Sequence, residues 1–144
     1  MKYQPHIFVT VDIVVTRKYE GEIQSLLIQR KNEPFQNYWA LPGGFVDKNE
    51  HIEAAAKREL LEETNIQLFQ VKQIGAFGDP NRDPRHHTLS VAYYGEVDAL
   101  AEAKAQDDAK SVQWFSLNEL PALAFDHNDI IREAIEKYIK KPSY

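Results

Sequence analysis

The chain has 144 residues, 27% of them charged, with 22 Asp and Glu against 17 Lys and Arg and a net charge of −5. That balance excludes the broad basic footprint of a nucleic-acid binder, and no run approaches the roughly 18 apolar residues of a membrane span. With no cysteine there is no disulfide frame and no thiolate site, so any metal must be held by oxygen or imidazole. The length suits one domain over residues 1–144. Asp12 interrupts the apolar stretch near the N-terminus and no small-residue cleavage site follows it. The stretch therefore reads as a strand rather than a signal peptide, and a cytoplasmic location is expected.

In chain order, the β-branched run 7–15 predicts a strand and 23–30 a second, joined by a turn at Glu20-Gly21. Residues 31–44 hold two prolines and two glycines and read as loop, with a short strand over Trp39–Leu41. Ile52–Thr64 is rich in Ala, Leu, Glu, Lys and Arg and predicts a helix; Asn65 behind it tolerates the left-handed conformation of a helix end. Strands are expected at 67–77 and 88–97, flanking the loop GDPNRDPRHH, and again at Val112–Phe115. Ser116-Leu-Asn-Glu119 has the capping-box pattern of a brief helical turn. A final helix over about 128–140 carries the stripe Ile130, Ile131, Ala134, Ile135, Tyr138 and Ile139, with Asp126 or Asn128 as its N-cap. Interleaved strands and helices with hairpins predict a layered α/β fold on a mixed sheet.

The chemistry concentrates in one helix. Glu59, Glu62 and Glu63 are related by three and four residues, so their carboxylates share a face, where like charges repel. A hard divalent cation removes that repulsion and keeps coordination sites open for substrate phosphates. Arg58 can pair with Glu62 one turn on, while Ala55, Ala56 and Leu60 form the packing face. Pro42-Gly43-Gly44 lets backbone approach the same place, and a glycine carbonyl can add an oxygen ligand.

These residues resemble a known signature. Gly44, Glu50, Arg58-Glu59-Leu60, Glu62-Glu63 and Asn65-Ile66 are similar in spacing to the Nudix box, the loop–helix–loop of hydrolases acting on a nucleoside diphosphate linked to another moiety. Asn65 departs from it, standing where the family usually has glycine. The resemblance implies an α/β/α sandwich and Mg²⁺ or Mn²⁺ as cofactor. It further implies Glu59, Glu63 and the Gly43 carbonyl as metal ligands, with Glu62 as a further ligand or a water-positioning group. Glu50 and Arg58 are then the orienting shell.

The loop GDPNRDPRHH and the later stretch QWFSLNELPALAFDHNDII are similar to a Nudix subgroup of ADP-ribose pyrophosphatases and related regulators, a likeness spanning Ile7 to Ile139. It implies hydrolysis of ADP-ribose to AMP and ribose 5-phosphate. Arg82 and Arg85 on their proline-stiffened loop, and Arg30 at a strand end, can present forks to phosphate. The competing reading pairs Arg82 or Arg85 with Asp79 or Asp83, and leaves Arg30 as a solvated strand end. Phe35, Tyr38, Trp39 and Phe77 are candidates to stack an adenine. His86, His87 and His127 read as loop histidines or caps. For an additional acid, the loop 98–110 offers Glu102, Asp107 and Asp108, with Asp107-Asp108 preferred. Two other readings stand beside this one: a house-cleaning hydrolase of oxidised nucleoside triphosphates, and a non-catalytic ADP-ribose sensor. Regulators of the subgroup carry an appended DNA-binding domain, for which this length leaves no room, so catalysis is expected. The expected partner is a small nucleotide, with no nucleic acid and no membrane, and single-domain relatives point to a homodimer.

Overall fold

The computed structural model of the chain describes residues 2–139. Strand β1 (Phe8–Tyr19) turns through Glu20 and Gly21 into β2 (Glu22–Arg30). Both turn residues have positive φ (50° and 81°), as a two-residue hairpin of matching twist requires. Then follow β3 (Trp39–Ala40), β4 (Gly43–Phe45), helix α1 (Ile52–Thr64), β5 (Lys72–Phe77), β6 (Thr88–Glu96) and β7 (Ala109–Ser116). Helix α2 (His127–Ala134) runs on into a π-helical turn, Ile135–Ile139.

The seven strands form one mixed sheet in the order β3-β2-β1-β6-β5, with β4 on β1 and β7 on β2. β1 and β6 run parallel from Phe8↔Thr88 to Thr16↔Glu96; every other strand pair is antiparallel. Side-chain alternation sends Val11, Ile13, Val15, Leu26, Val91 and Tyr93 to one face, where Ala55, Ala56 and Leu60 of α1 cover them. Val14, Leu27, Ile74 and Ala92 face the other way, under Ile130, Ile131 and Ala134 of α2. The result is an α/β/α sandwich.

Helix α1 has the predicted bounds, and Asn65 ends it with φ 62° and ψ 15°, its amide bonded to the Leu61 carbonyl. Four expectations are corrected. β4 lies partly in the stretch 31–44 expected as loop; it pairs because glycine lets the backbone sit against β1, where a Cβ on Gly43 would strike the Val11 carbonyl. The strand expected from residue 67 starts at Lys72; Leu68 before it packs its side chain against Gly95 in the core. Ser116–Glu119 is a turn closed by Glu119 N–H to Ser116 O, with no helix. The last helix widens into a π turn from Ile135, and the expected end at Lys140 lies outside the described residues. Among the described residues no helix is long and apolar enough to cross a membrane.

Candidate active site

A cleft of about 860 Å³ opens where β1, the β2 end, the Leu41–Phe45 turn and α1 meet. Arg58 organises its acidic wall. Its Nε and Nη2 donate to the two Glu50 oxygens at 2.6 and 2.9 Å, and Nη1 donates to Glu59 (2.9 Å) and Glu62 (2.8 Å). Nη2 also reaches the Phe45 carbonyl at 3.1 Å, tying helix to glycine turn. The guanidinium and the Asp47 amide hold the Glu50 carboxyl down at about 2, and Arg58's own pKa is raised in return, chiefly by Glu50 and Glu62.

Glu63 stands apart from this hub. Its Oε1 accepts the Gly43 amide at 2.8 Å, and it pairs with no cation among the described residues. Burial, with Glu59, Asp12 and Asp108 close by, pushes its carboxyl up to about 8 against the pull of that amide. Glu59 is also pushed up by burial, which outweighs Arg58. Space above the turn is tight: a Cβ on Gly44 would fall 2.5 Å from a Glu59 oxygen.

The arginines divide. Arg82 is buried, and its fork closes on Asp126 (3.0 and 2.7 Å), with Asp12 at 3.7 Å. Asp126 therefore sits at the N-cap position of α2 without bonding a helix amide. Arg85 forks Asp83 (3.1 and 2.8 Å), one of the two pairings expected for it, and remains partly exposed at the cleft. Arg30 also lines the cleft; its Nε donates to the Pro34 carbonyl at 2.7 Å, and it pairs with no carboxylate among the described residues. Asp107 and Asp108 line the same cleft, whereas Glu102 lies at a different cavity beside Asn65–Gln70.

The cleft also holds residues that sequence reasoning missed. Asp12, seen only as a break in an apolar run, is buried beneath the turn and accepts from Ser90 Oγ at 2.5 Å. His127 is no loop histidine: it opens α2, buried, and its Nδ1 accepts the Leu41 amide at 3.0 Å. That bond leaves the ring proton on Nε2, which faces Asp12 Oδ1 at 3.4 Å. Burial pushes the Asp12 carboxyl up, but His127, Ser90 and Arg82 together hold it below its usual range. The expected aromatics are displaced as well. Trp39 and Phe77 pack under α2, and Phe35 and Tyr38 do not line the cleft; Phe45 and Phe125 do. An aspartate within a strand carried a usable signal, since a buried carboxylate needs partners. Nothing local marked Phe45 or Phe125.

Among the described residues no three carboxylates or imidazoles converge at metal-ligand spacing, because Arg58 draws Glu59 and Glu62 while Gly43 holds Glu63. The donor chemistry still fits a hard divalent cation. Three carboxylates share one wall with a single guanidinium among them, and Glu63 is driven toward its protonated form for want of positive charge.

Comparison with known proteins agrees with this picture. The NUDIX domain model matches residues 6–138. The ADP-ribose pyrophosphatase of Methanocaldococcus jannaschii is 45% identical, the match covering 89% of this chain and 73% of that enzyme. The ADPR-responsive transcriptional repressor NtrR of Acinetobacter baylyi is 35% identical over 97% of this chain, which spans only 58% of the repressor's length. In structure, the NUDIX domain of Shewanella oneidensis NrtR, crystallised with ADP ribose, superposes with a TM-score of 0.87 at 31% identity, covering 93% of this chain and 90% of that one. A match over nearly every described residue, and an enzyme sharing almost half of its aligned residues, give one classification: the chain belongs to the Nudix family.

Proposed function

We propose that the chain is a Mg²⁺-dependent pyrophosphohydrolase of ADP-ribose, giving AMP and ribose 5-phosphate. The observation that carries this is a single cleft with an acidic wall (Glu59, Glu62, Glu63) and cationic side chains from Arg30, Lys31 and Arg85. An anionic diphosphate entering an acidic site needs metal at one end and guanidinium at the other. The M. jannaschii enzyme at 45% identity and the ADP-ribose-bound neighbour support this substrate over a nucleoside triphosphate. Identity to that enzyme exceeds identity to the repressor, which favours catalysis over sensing.

Glu59, Glu62, Glu63 and the Gly43 carbonyl would hold the cation. When bound, Mg²⁺ neutralises phosphate charge and lowers the pKa of water. The protein's own part is orientation. Arg58 fixes Glu59 and Glu62 on one side, and the Gly43 amide fixes Glu63 on the other. Arg30 and Arg85 would take phosphate oxygens, and Asp107 or Asp108, which line the same cleft, would accept the proton of the attacking water. Water adds to one phosphorus, the bridging P–O bond breaks, and the other phosphate leaves. No covalent enzyme intermediate is required.

The test is Mg²⁺-dependent turnover across ADP-ribose, NADH, nucleotide sugars and oxidised triphosphates, for wild type and Glu63→Gln. ADP-ribose should be the preferred substrate, and the variant should lose more than about 100-fold in kcat, roughly 2.7 kcal/mol, with unchanged circular dichroism. Release of pyrophosphate from triphosphates at higher kcat/KM would overturn the substrate, and full activity in the variant would overturn the site.

A further inference from the structure

The Phe125 ring lies within reach of two cleft arginines, Arg30 and Arg85, that each keep N–H groups free of protein partners among the described residues. Its centroid lies 5.0 Å from the Arg30 guanidinium carbon and 5.9 Å from that of Arg85. Both fall within the reach of about 6 Å at which a cation is attracted to an aromatic face. Arg30 spends only Nε, on Pro34 O, and Arg85 spends Nε and Nη2 on Asp83. Burial and the neighbouring Arg85 press down on the Arg30 pKa, which marks a charge short of a counter-ion.

The backbone adds a second observation. Phe125 has φ 52°, a left-handed conformation that a bulky residue rarely adopts and that surrounding structure must impose. Contacts before and after it in the chain impose it, the first being the Ala124 amide donating to the Trp39 carbonyl at 2.8 Å. Asp126 forks Arg82 and His127 accepts the Leu41 amide, while Phe35 packs behind the ring at 4.9 Å. The chain is thus held in a strained turn that sets one aromatic ring beside two guanidinium groups.

We propose that Phe125 is a positioning residue that holds Arg30 and Arg85 together as one binding unit for a phosphate of the substrate. This rests on the reading of the cleft as a diphosphate site and adds to it the residue that makes two mutually repelling arginines act together. Because Phe125 touches the arginines and not the reacting atoms, its loss weakens ground-state binding rather than the chemical step.

The experiment compares wild type with Phe125→Leu and Phe125→Tyr. Binding of inorganic pyrophosphate is measured by calorimetry with the same excess of Mg²⁺ in cell and syringe, and KM and kcat are measured with ADP-ribose and Mg²⁺. Phe125→Leu should bind pyrophosphate about tenfold more weakly and raise KM about tenfold, the scale of two modest cation–π contacts, with kcat within about threefold of wild type. Phe125→Tyr, which keeps the ring, should restore both. Should the leucine variant fail to fold, Phe125→Met, whose flexible side chain fills irregular gaps, takes its place. Unchanged pyrophosphate affinity in the ring-less variant, equal losses in the leucine and tyrosine variants, or no pyrophosphate binding by wild type would each overturn the proposal. Wild-type protein that leaves ADP-ribose uncleaved counts against the substrate alone, since the pyrophosphate arm decides Phe125 without it.

Discussion

The Glu63 carboxylate accepts the Gly43 amide at 2.8 Å, joining the last turn of α1 to the glycine turn twenty positions earlier. One hydrogen bond fixes this side chain but does not neutralise it, and burial beside Glu59, Asp12 and Asp108 raises its pKa from the ordinary 4.5 to about 8.

That shift sets a pH dependence. A carboxyl that holds its proton more tightly in the fold than in the unfolded chain stabilises the fold fully below its unfolded pKa, and the contribution is lost as pH rises through its folded pKa. Metal-free protein should therefore lose melting temperature between about pH 4.5 and pH 8. Glu63→Gln, which cannot ionise, should flatten that part of the profile. Added Mg²⁺ should stabilise wild type more at pH 8 than at pH 5, because the cation favours the ionised form. Thermal melts in EDTA and in Mg²⁺ across this range check it. A wild-type EDTA profile flat over the same window would show that Glu63 is not buried against its charge.

Arg82 and Arg85, three residues apart, should fail in different ways. Arg82 is buried and committed to Asp126, so Arg82→Ala leaves a carboxylate unpaired beside Asp12 and should destabilise the fold by about 3–5 kcal/mol. Arg85 is 43% exposed at its side chain, and its buried partner Asp83 would keep the Arg85 backbone amide as a donor, so Arg85→Ala should lower the melting temperature by less than Arg82→Ala. If Arg85 grips phosphate, the same change should cost about 1.5–3 kcal/mol in kcat/KM, and Arg85→Lys should recover little of it. Paired melts and kinetics separate the two. Equal thermal losses would place both arginines in the scaffold, and unchanged Arg85→Ala kinetics would remove it from the substrate site.

The contrast shows where sequence reasoning reaches. α1 was legible to the residue, because its helix formers, the four-residue spacing of Arg58 and Glu62, and the left-handed Asn65 are local properties of the chain. The strands were legible in number apart from β4, whose glycines carry no strand propensity and pair only because β1 comes close. What stayed hidden was set by distance. Asp126 lies 44 positions from Arg82, and it looked like a cap because nothing nearby reveals an arginine arriving from another loop. Asp12 and Ser90 are 78 positions apart, on neighbouring parallel strands, and meet only once that register is known. The aromatics were misassigned for a related reason: which face a ring takes depends on the layer that covers it, and Trp39 went to the core under α2.

Arg58 offers the sharpest separation of geometry from charge. Its guanidinium holds Glu50, Glu59 and Glu62 and also reaches the Phe45 carbonyl, a set of contacts that only a planar group with donors on both edges can make together. Arg58→Lys keeps the positive charge and the helix propensity but can satisfy only part of that set, so Glu59 and Glu62 lose their common anchor. The melting temperature should change little, since the side chain is 28% exposed and sits at the cleft rather than in the core. Activity should fall by about 10–100-fold, the usual loss when a group orienting metal ligands is removed, and the Mg²⁺ concentration for half-maximal rate should rise. Arg58→Met should lose more, because it also leaves the carboxylates uncompensated. Mg²⁺ titrations of activity for the three proteins test the order. A lysine variant with wild-type rate and Mg²⁺ dependence would mean that charge alone matters, and that the fork to Glu50 has no part in holding the site.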